Sequence, residues 1–247
     1  MNHLTITTLA VILQLSLTST VLAKPYDVGS QISQQVSVLN DQGDSVSLRQ
    51  IIQDSGKPVN IVFIFGGGAM GHEKGKDRGG LWCPDSYEEL HIIRSLKSAY
   101  SKQVGFFPIA VPPAHHTQYL GSSKGIFLQA DHDSAEYQQA LSGFIDSTQA
   151  AVKAGTIPYQ TFYDAGFNFM ASENVLASRQ ARQDWHGAFR AAEEAQTYGV
   201  PSLWIVDAEG RVLQPPFRGN IYHDHGEGIL IQYTLAEVVR SLEAVLE

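Results

Sequence analysis

The chain holds a single cysteine, Cys83, in the run Trp82-Cys83-Pro84-Asp85-Ser86. A thiol attacks as its thiolate, and a helix N-terminus lowers the pKa from about 8.5 by presenting unpaired N–H groups and the positive end of the helix dipole. The residues after Cys83 supply such a helix, because Leu90, Ile93 and Leu96 recur at helical spacing with Tyr87 and Tyr100 on a related face. Pro84 suits the first helical turn, where its missing N–H is no loss, and Asp85, Glu88 and Glu89 suit the positive helix start. The spacing predicts Cys83 at or beside an N-cap, as a reactive thiol with a lowered pKa. The competing reading is a small buried hydrophobe with no chemistry. Trp82 beside it either shapes substrate contact or packs.

Other residues of chemical interest are weaker candidates. His115-His116, His132 and His223-Asp224-His225 are types that bind zinc or copper, but adjacent histidines in polar loops are usually solvated, so neither a metal site nor a cofactor is predicted. Pairing His225 with Cys83 as acid and base would need two loops to meet. Gly66-Gly67-Gly68 follows a hydrophobic run but lacks the Gly-Lys-Ser/Thr ending and the G-x-G-x-x-G context of a phosphate loop, so nucleotide binding is not expected.

The elements around Cys83 follow from hydrophobic patterning. Val36, Val38 and Leu39 lead into Asn40-Asp41-Gln42-Gly43 and then Val46 and Leu48, the pattern of a small hairpin. A helical turn over 48–53 follows, and the apolar run Val59 to Phe65 reads as a central strand covered on both faces. Residues 66–80 include seven glycines in fifteen positions and predict a flexible loop. Beyond the Cys83 helix come a strand over 104–111, helices over 134–154 and 173–196 with a short strand over 158–163 between them, a hairpin built on Ser202 to Phe217, and an amphipathic helix over 235–246. Strands alternating with helices, closed by a hairpin and a helix, predict an α/β sandwich with a mixed central sheet flanked by helices.

The bulk composition restricts the setting. At 247 residues, with 43% hydrophobic and 17% charged side chains, the chain suits one domain with insertions rather than two. Its formal charge of -8 and the absence of a Lys/Arg run exclude a nucleic-acid partner that depends on clustered cations. Residues 1–23 carry an apolar stretch from Leu9 to Leu17 and small residues at Val21 and Ala23, as in a secretory signal cut before Lys24. The run is short for a bilayer span of about 20 residues, leaving an uncleaved signal anchor as the only membrane association considered. A periplasmic or secreted protein of residues 24–247 is therefore expected. With one cysteine it cannot form an internal disulfide.

Taken with that order of elements, Trp82-Cys83-Pro84-Asp85-Ser86 resembles the W-C-x-x-C motif of the thioredoxin-like superfamily. The nearest local likeness is to thioredoxin-related proteins with W-C-P-D-C after a Gly/Lys/Asp-rich insertion. The front half, with its hairpin and Gly56-Lys57-Pro58, is more similar to the redoxin branch. The resemblance covers roughly residues 28–247, with a poorly matched, largely helical insertion at about 112–195. It implies that Pro201 is a cis-proline facing Cys83 and that the backbone of Val200 pairs with a substrate. It also implies a thiol or disulfide partner, either a protein or a small molecule.

One departure from the motif limits the chemistry. Ser86 stands where a dithiol enzyme carries its resolving cysteine, so the chain cannot complete a two-electron cycle alone. Three readings are open: a monothiol oxidoreductase acting on disulfides, an antioxidant peroxiredoxin-like thiol resolved from outside, or a non-catalytic binding module. The peroxide reading is the weaker of the redox pair, because Gly80 occupies the position at which that branch carries Thr or Ser. Ser86 is expected to support the thiolate through its hydroxyl.

Overall fold

The computed structural model describes residues 28–68, 80–112, 126–128, 131–166, 169, 200–218 and 233–247. The signal segment, the expected helix over 173–196 and most of the expected insertion lie outside the described residues.

The fold is built around β3 (Val59–Gly66), all eight of whose residues are buried. Its β-branched and aromatic side chains suit a strand covered on both faces, and each fully buried Ile, Val or Phe contributes about 1.5–3 kcal/mol of apolar transfer. Phe63 and Phe65, two apart and so on one face, stack with ring centroids 5.6 Å apart. Parallel to β3 runs β4 (Val104–Val111), in register from Val59↔Val104 to Gly66↔Val111. On its other side β6 (Ser202–Asp207) runs antiparallel, from Val59↔Asp207 to Ile64↔Ser202.

Shorter strands complete a seven-stranded mixed sheet in the order β2-β1-β5-β4-β3-β6-β7. These are β1 (Ser37–Leu39), β2 (Ser45–Ser47), β5 (Phe162–Tyr163) and β7 (Phe217–Arg218). The hairpin after β6 is less regular than the pattern predicts, since Val206↔Val212 is an isolated bridge before β7 rejoins at Leu203↔Phe217. Pro215 and Pro216 separate the two pairings, and proline cannot donate to a ladder.

Helices flank the sheet. α1 (Leu48–Asp54) is capped by Ser47, whose side chain accepts from the N–H of Gln50. α2 (Pro84–Tyr100) joins β3 to β4 and packs against α4 (Leu235–Leu246), where the Tyr100 hydroxyl donates to Glu243 at 2.8 Å. α4 opens with a capping box between Thr234 and Glu237. α3 (Ala135–Lys153), capped by Ser134, packs Phe144 edge-on against Tyr163 of β5. The whole is a thioredoxin-like α/β fold: the strand feeding the cysteine helix is central, with a parallel neighbour on one side and an antiparallel one on the other.

Candidate functional site

Strand register brings the site together. β3 ends at Gly66 while β6 begins at Ser202 opposite Ile64, so the residues before β6 lie at the edge where β3 stops. The Val200-Pro201 bond there is cis. α2 also begins at this edge, with Cys83 as its N-cap in extended conformation and Pro84 in its first turn. The Cys83 thiol is directed at the carbonyl oxygen of Val200, 3.9 Å away. The residues that the sequence singles out thus meet at one end of the central strands: Trp82, Cys83, Pro84, Ser86, Val200 and Pro201.

The surroundings of the sulfur differ from the expectation of a reactive, low-pKa thiol. Cys83 is only 4% exposed, and burial, reinforced by the charge of Asp85, pushes its thiol up to about 12. The helix-terminus effect is present but outweighed. No capping bond of ordinary geometry reaches the sulfur, yet the Ser86 hydroxyl and the backbone N–H groups of Ser86 and Asp85 are close enough to favour an anion there. Asp85, expected to suit the positive start of the helix, is 3% exposed, and its charge opposes the thiolate.

The cover over Cys83 is tight. A Cβ placed on Gly66 would lie 2.4 Å from the Cys83 Cβ and 2.7 Å from the Trp82 ring, so only glycine fits where β3 passes the thiol. A Cβ on Gly67 would lie 2.7 Å from Ala110 and 3.2 Å from Thr148, and one on Gly68, at φ +79°, 2.5 Å from Ser147. The triple glycine expected to open a flexible loop is instead the end of β3 and a packed passage between β4, α3 and the cysteine. Trp82 is nearly buried and donates its Nε1–H to the carbonyl of Val111 at 2.9 Å, tying the cysteine segment to the end of β4.

Ser86 is fully buried and accepts the N–H of Gly66 at 2.9 Å. One of its two lone pairs accepts from Gly66, and its hydroxyl hydrogen can turn toward the neighbouring sulfur, where it favours the thiolate. One turn further along α2, Glu89 is 0% exposed and accepts the Tyr233 hydroxyl at 2.5 Å. Its other oxygen, Oε1, has no hydrogen-bond partner among the described residues. Burial pushes the Glu89 carboxyl up to about 8, with the Tyr233 bond opposing and the Asp85 charge adding to the rise. Sequence reasoning placed both acids at the helix start and missed their burial. The signal was present in the i, i+4 spacing of Asp85 and Glu89, which puts both on one helix face with Leu90 and Ile93 close by.

Gly80 holds φ +94° with its Cβ position 3.2 Å from Ala151, a place where a Thr or Ser side chain would be strained. His132 stacks on Tyr137 with centroids 4.5 Å apart. His115, His116, His223, Asp224 and His225 lie outside the described residues. Among the described residues no three His, Cys, Asp or Glu side chains gather as metal ligands, and no helix is long and apolar enough to cross a membrane.

No family model matches the sequence, and no curated protein matches it. Solved structures of similar outline include a hypothetical protein from Sinorhizobium meliloti 1021, at 15% identity over 90% of this chain and 86% of that one, TM-score 0.45. A putative thiol:disulfide interchange protein DsbE from Chlorobium tepidum shares 12% identity over 90% of this chain and 99% of its own, TM-score 0.43. A secreted Mycobacterium tuberculosis disulfide oxidoreductase shares 12% over 85% and 96% respectively, TM-score 0.41.

Proposed function

We propose that the chain is an exported thioredoxin-like monothiol oxidoreductase in which Cys83 exchanges with the disulfide of a protein or small molecule. The observation that carries this reading is the meeting of the Cys83 sulfur with the Val200 carbonyl, 3.9 Å away beside the cis Val200-Pro201 bond. A thiol with no role has no need of an N-cap position, a buried hydroxyl turned to it and a facing proline at once. Each part serves the reaction: the start of α2 and Ser86 favour the anion, and the Val200 backbone offers an edge to an extended substrate.

The resting site is closed. Cys83 keeps its proton under Gly66, Trp82 and Val200 until a substrate segment draws the Val200 carbonyl into pairing and uncovers the sulfur. The thiolate then attacks one sulfur of the substrate disulfide, forming the mixed disulfide and releasing the other substrate sulfur as a thiol. Since Ser86 cannot resolve that intermediate, a second thiol from outside attacks the substrate sulfur, returns Cys83 to its reduced form and carries away a new disulfide.

Reduction of peroxide fits less well, because Gly80 stands where the peroxide-reducing branch carries a Thr or Ser hydroxyl. The burial of Cys83 favours a second reading from another class, a binding module in which the edge beside Val200 holds a partner and the cysteine is inert. Incubating the native protein with cystamine and weighing it intact separates the two. A single adduct on Cys83, removed by dithiothreitol, supports exchange; an unmodified protein that reacts only in denaturant supports the binding module.

A further inference from the structure

Tyr87 lies four residues after Cys83, one turn along α2, and its backbone N–H donates to the Cys83 carbonyl at 3.2 Å. Residues four apart stand on one side of a helix, and a helical side chain covers the turn N-terminal to its own Cα. Tyr87 therefore covers the turn that begins at Cys83. Its spacing relates it to Leu90, Ile93 and Leu96, which are all buried, yet Tyr87 is 40% exposed. Among the described residues the exposed large hydrophobic side chains are Val28, at the start of the described chain, and Tyr87. A lone exposed aromatic is ordinary on a protein surface. This one stands on the solvent side of α2 next to the thiol, whose buried side is taken by Gly66, Trp82 and the Val200 carbonyl.

Building on the exchange reaction proposed above, we infer that Tyr87 is a specificity-determining residue, whose ring receives an apolar side chain next to the cysteine of a polypeptide disulfide. A polypeptide brings both things that this end of the site can use. Its backbone N–H groups can pair with the Val200 carbonyl, and the side chain flanking its cysteine falls over Tyr87, one turn of α2 from the sulfur. A small disulfide such as cystamine brings neither. The contact takes apolar surface of both partners out of water while the Tyr87 hydroxyl stays solvated, and an aromatic flanking residue adds an offset-stacked or edge-on ring pair. Tyr87 takes no part in the transfer of the proton or the electrons; it sets which disulfide reaches Cys83.

The test uses the full chain and two disulfide-linked peptide homodimers of equal charge, of acetyl-Phe-Cys-Phe amide and of acetyl-Ser-Cys-Ser amide, with intact mass reporting the adduct on Cys83. At peptide concentrations well below saturation the wild type reacts at least about five-fold faster with the Phe peptide than with the Ser peptide. Tyr87→Ser brings that ratio close to one, whereas Tyr87→Phe, which keeps the ring, retains it. A ratio unchanged in Tyr87→Ser overturns the inference, including the case in which both peptides slow together, because Tyr87 then only supports the head of α2. A wild type that reacts with cystamine but shows no preference between the peptides also overturns it and leaves the exchange reaction standing. A wild type inert in its native state to cystamine and to both peptides overturns the exchange reading, and this inference with it.

Discussion

The sulfur of Cys83 lies 3.9 Å from the carbonyl oxygen of Val200, the residue joined to Pro201 by a cis bond. They are 117 residues apart in sequence and are brought together by one register, Ile64↔Ser202, which carries the start of β6 to the end of β3. The closed state that this contact belongs to makes the chemistry of the site testable.

The thiol is expected to alkylate slowly. With burial pushing Cys83 up to about 12, its rate with iodoacetamide in the native protein should climb steadily from pH 7 to beyond pH 9 without levelling off, far below the denatured control. A plateau near the free-thiol value of about 8.5 would show an open site instead.

Glu89 should make the fold less stable as pH rises. Its carboxyl moves from the usual 4.5 to about 8 in the folded chain, so the folded state holds a proton that the unfolded state releases. The resulting stabilisation is complete below 4.5 and lost as pH climbs through 8, on the order of a few kcal/mol. Urea unfolding across that range measures the slope, and Glu89→Gln, which can still accept the Tyr233 hydroxyl, should flatten it. An equal slope in the variant would assign the dependence to other groups.

Gly66→Ala should destabilise by about 1–3 kcal/mol through overpacking, because its methyl must displace Cys83 or Trp82. The urea midpoint reads the loss. An unaffected midpoint would mean that the strand end yields easily and that the cover over the thiol is loose.

Ser86→Ala removes the acceptor of the Gly66 N–H and leaves a buried donor unpaired, at a cost of about 1–3 kcal/mol. It also removes a hydroxyl that favours the thiolate, so mixed-disulfide formation with cystamine should slow. Loss of stability with an unchanged reaction rate would confine Ser86 to a structural part.

Much of the architecture was legible because its elements carry strong local patterns. The strand at Val104–Val111 and the helix at Leu235–Leu246 begin and end where the apolar run and the amphipathic spacing place them, and the strand at Ser202–Asp207 opens the expected hairpin. Pro84 in the first turn likewise marks Cys83 as the N-cap. The strand expected over 158–163 shrinks to Phe162–Tyr163, since its pairing with Ile109 and Ala110 is set by tertiary contact rather than by propensity. The site was less legible than the fold. Position along a helix says that a dipole is present, whereas the pKa depends on burial, and burial of Cys83 comes from Gly66 and Val200, distant in sequence and joined only by the sheet. The same holds for Asp85 and Glu89: their sequence position says that they suit the helix start, whereas their burial depends on tertiary packing, including the Tyr233 hydroxyl bound to Glu89.

The central claim is that Cys83 exchanges with disulfides from the native fold. The direct measurement is the time course of cystamine adduct formation at Cys83, set beside the unfolding rate obtained from urea kinetics extrapolated to water. Adduct formation that rises with cystamine concentration and outruns unfolding is the expected result. Adduct formation that saturates at the unfolding rate would mean that the sulfur reacts only when the fold is lost, contradicting the account.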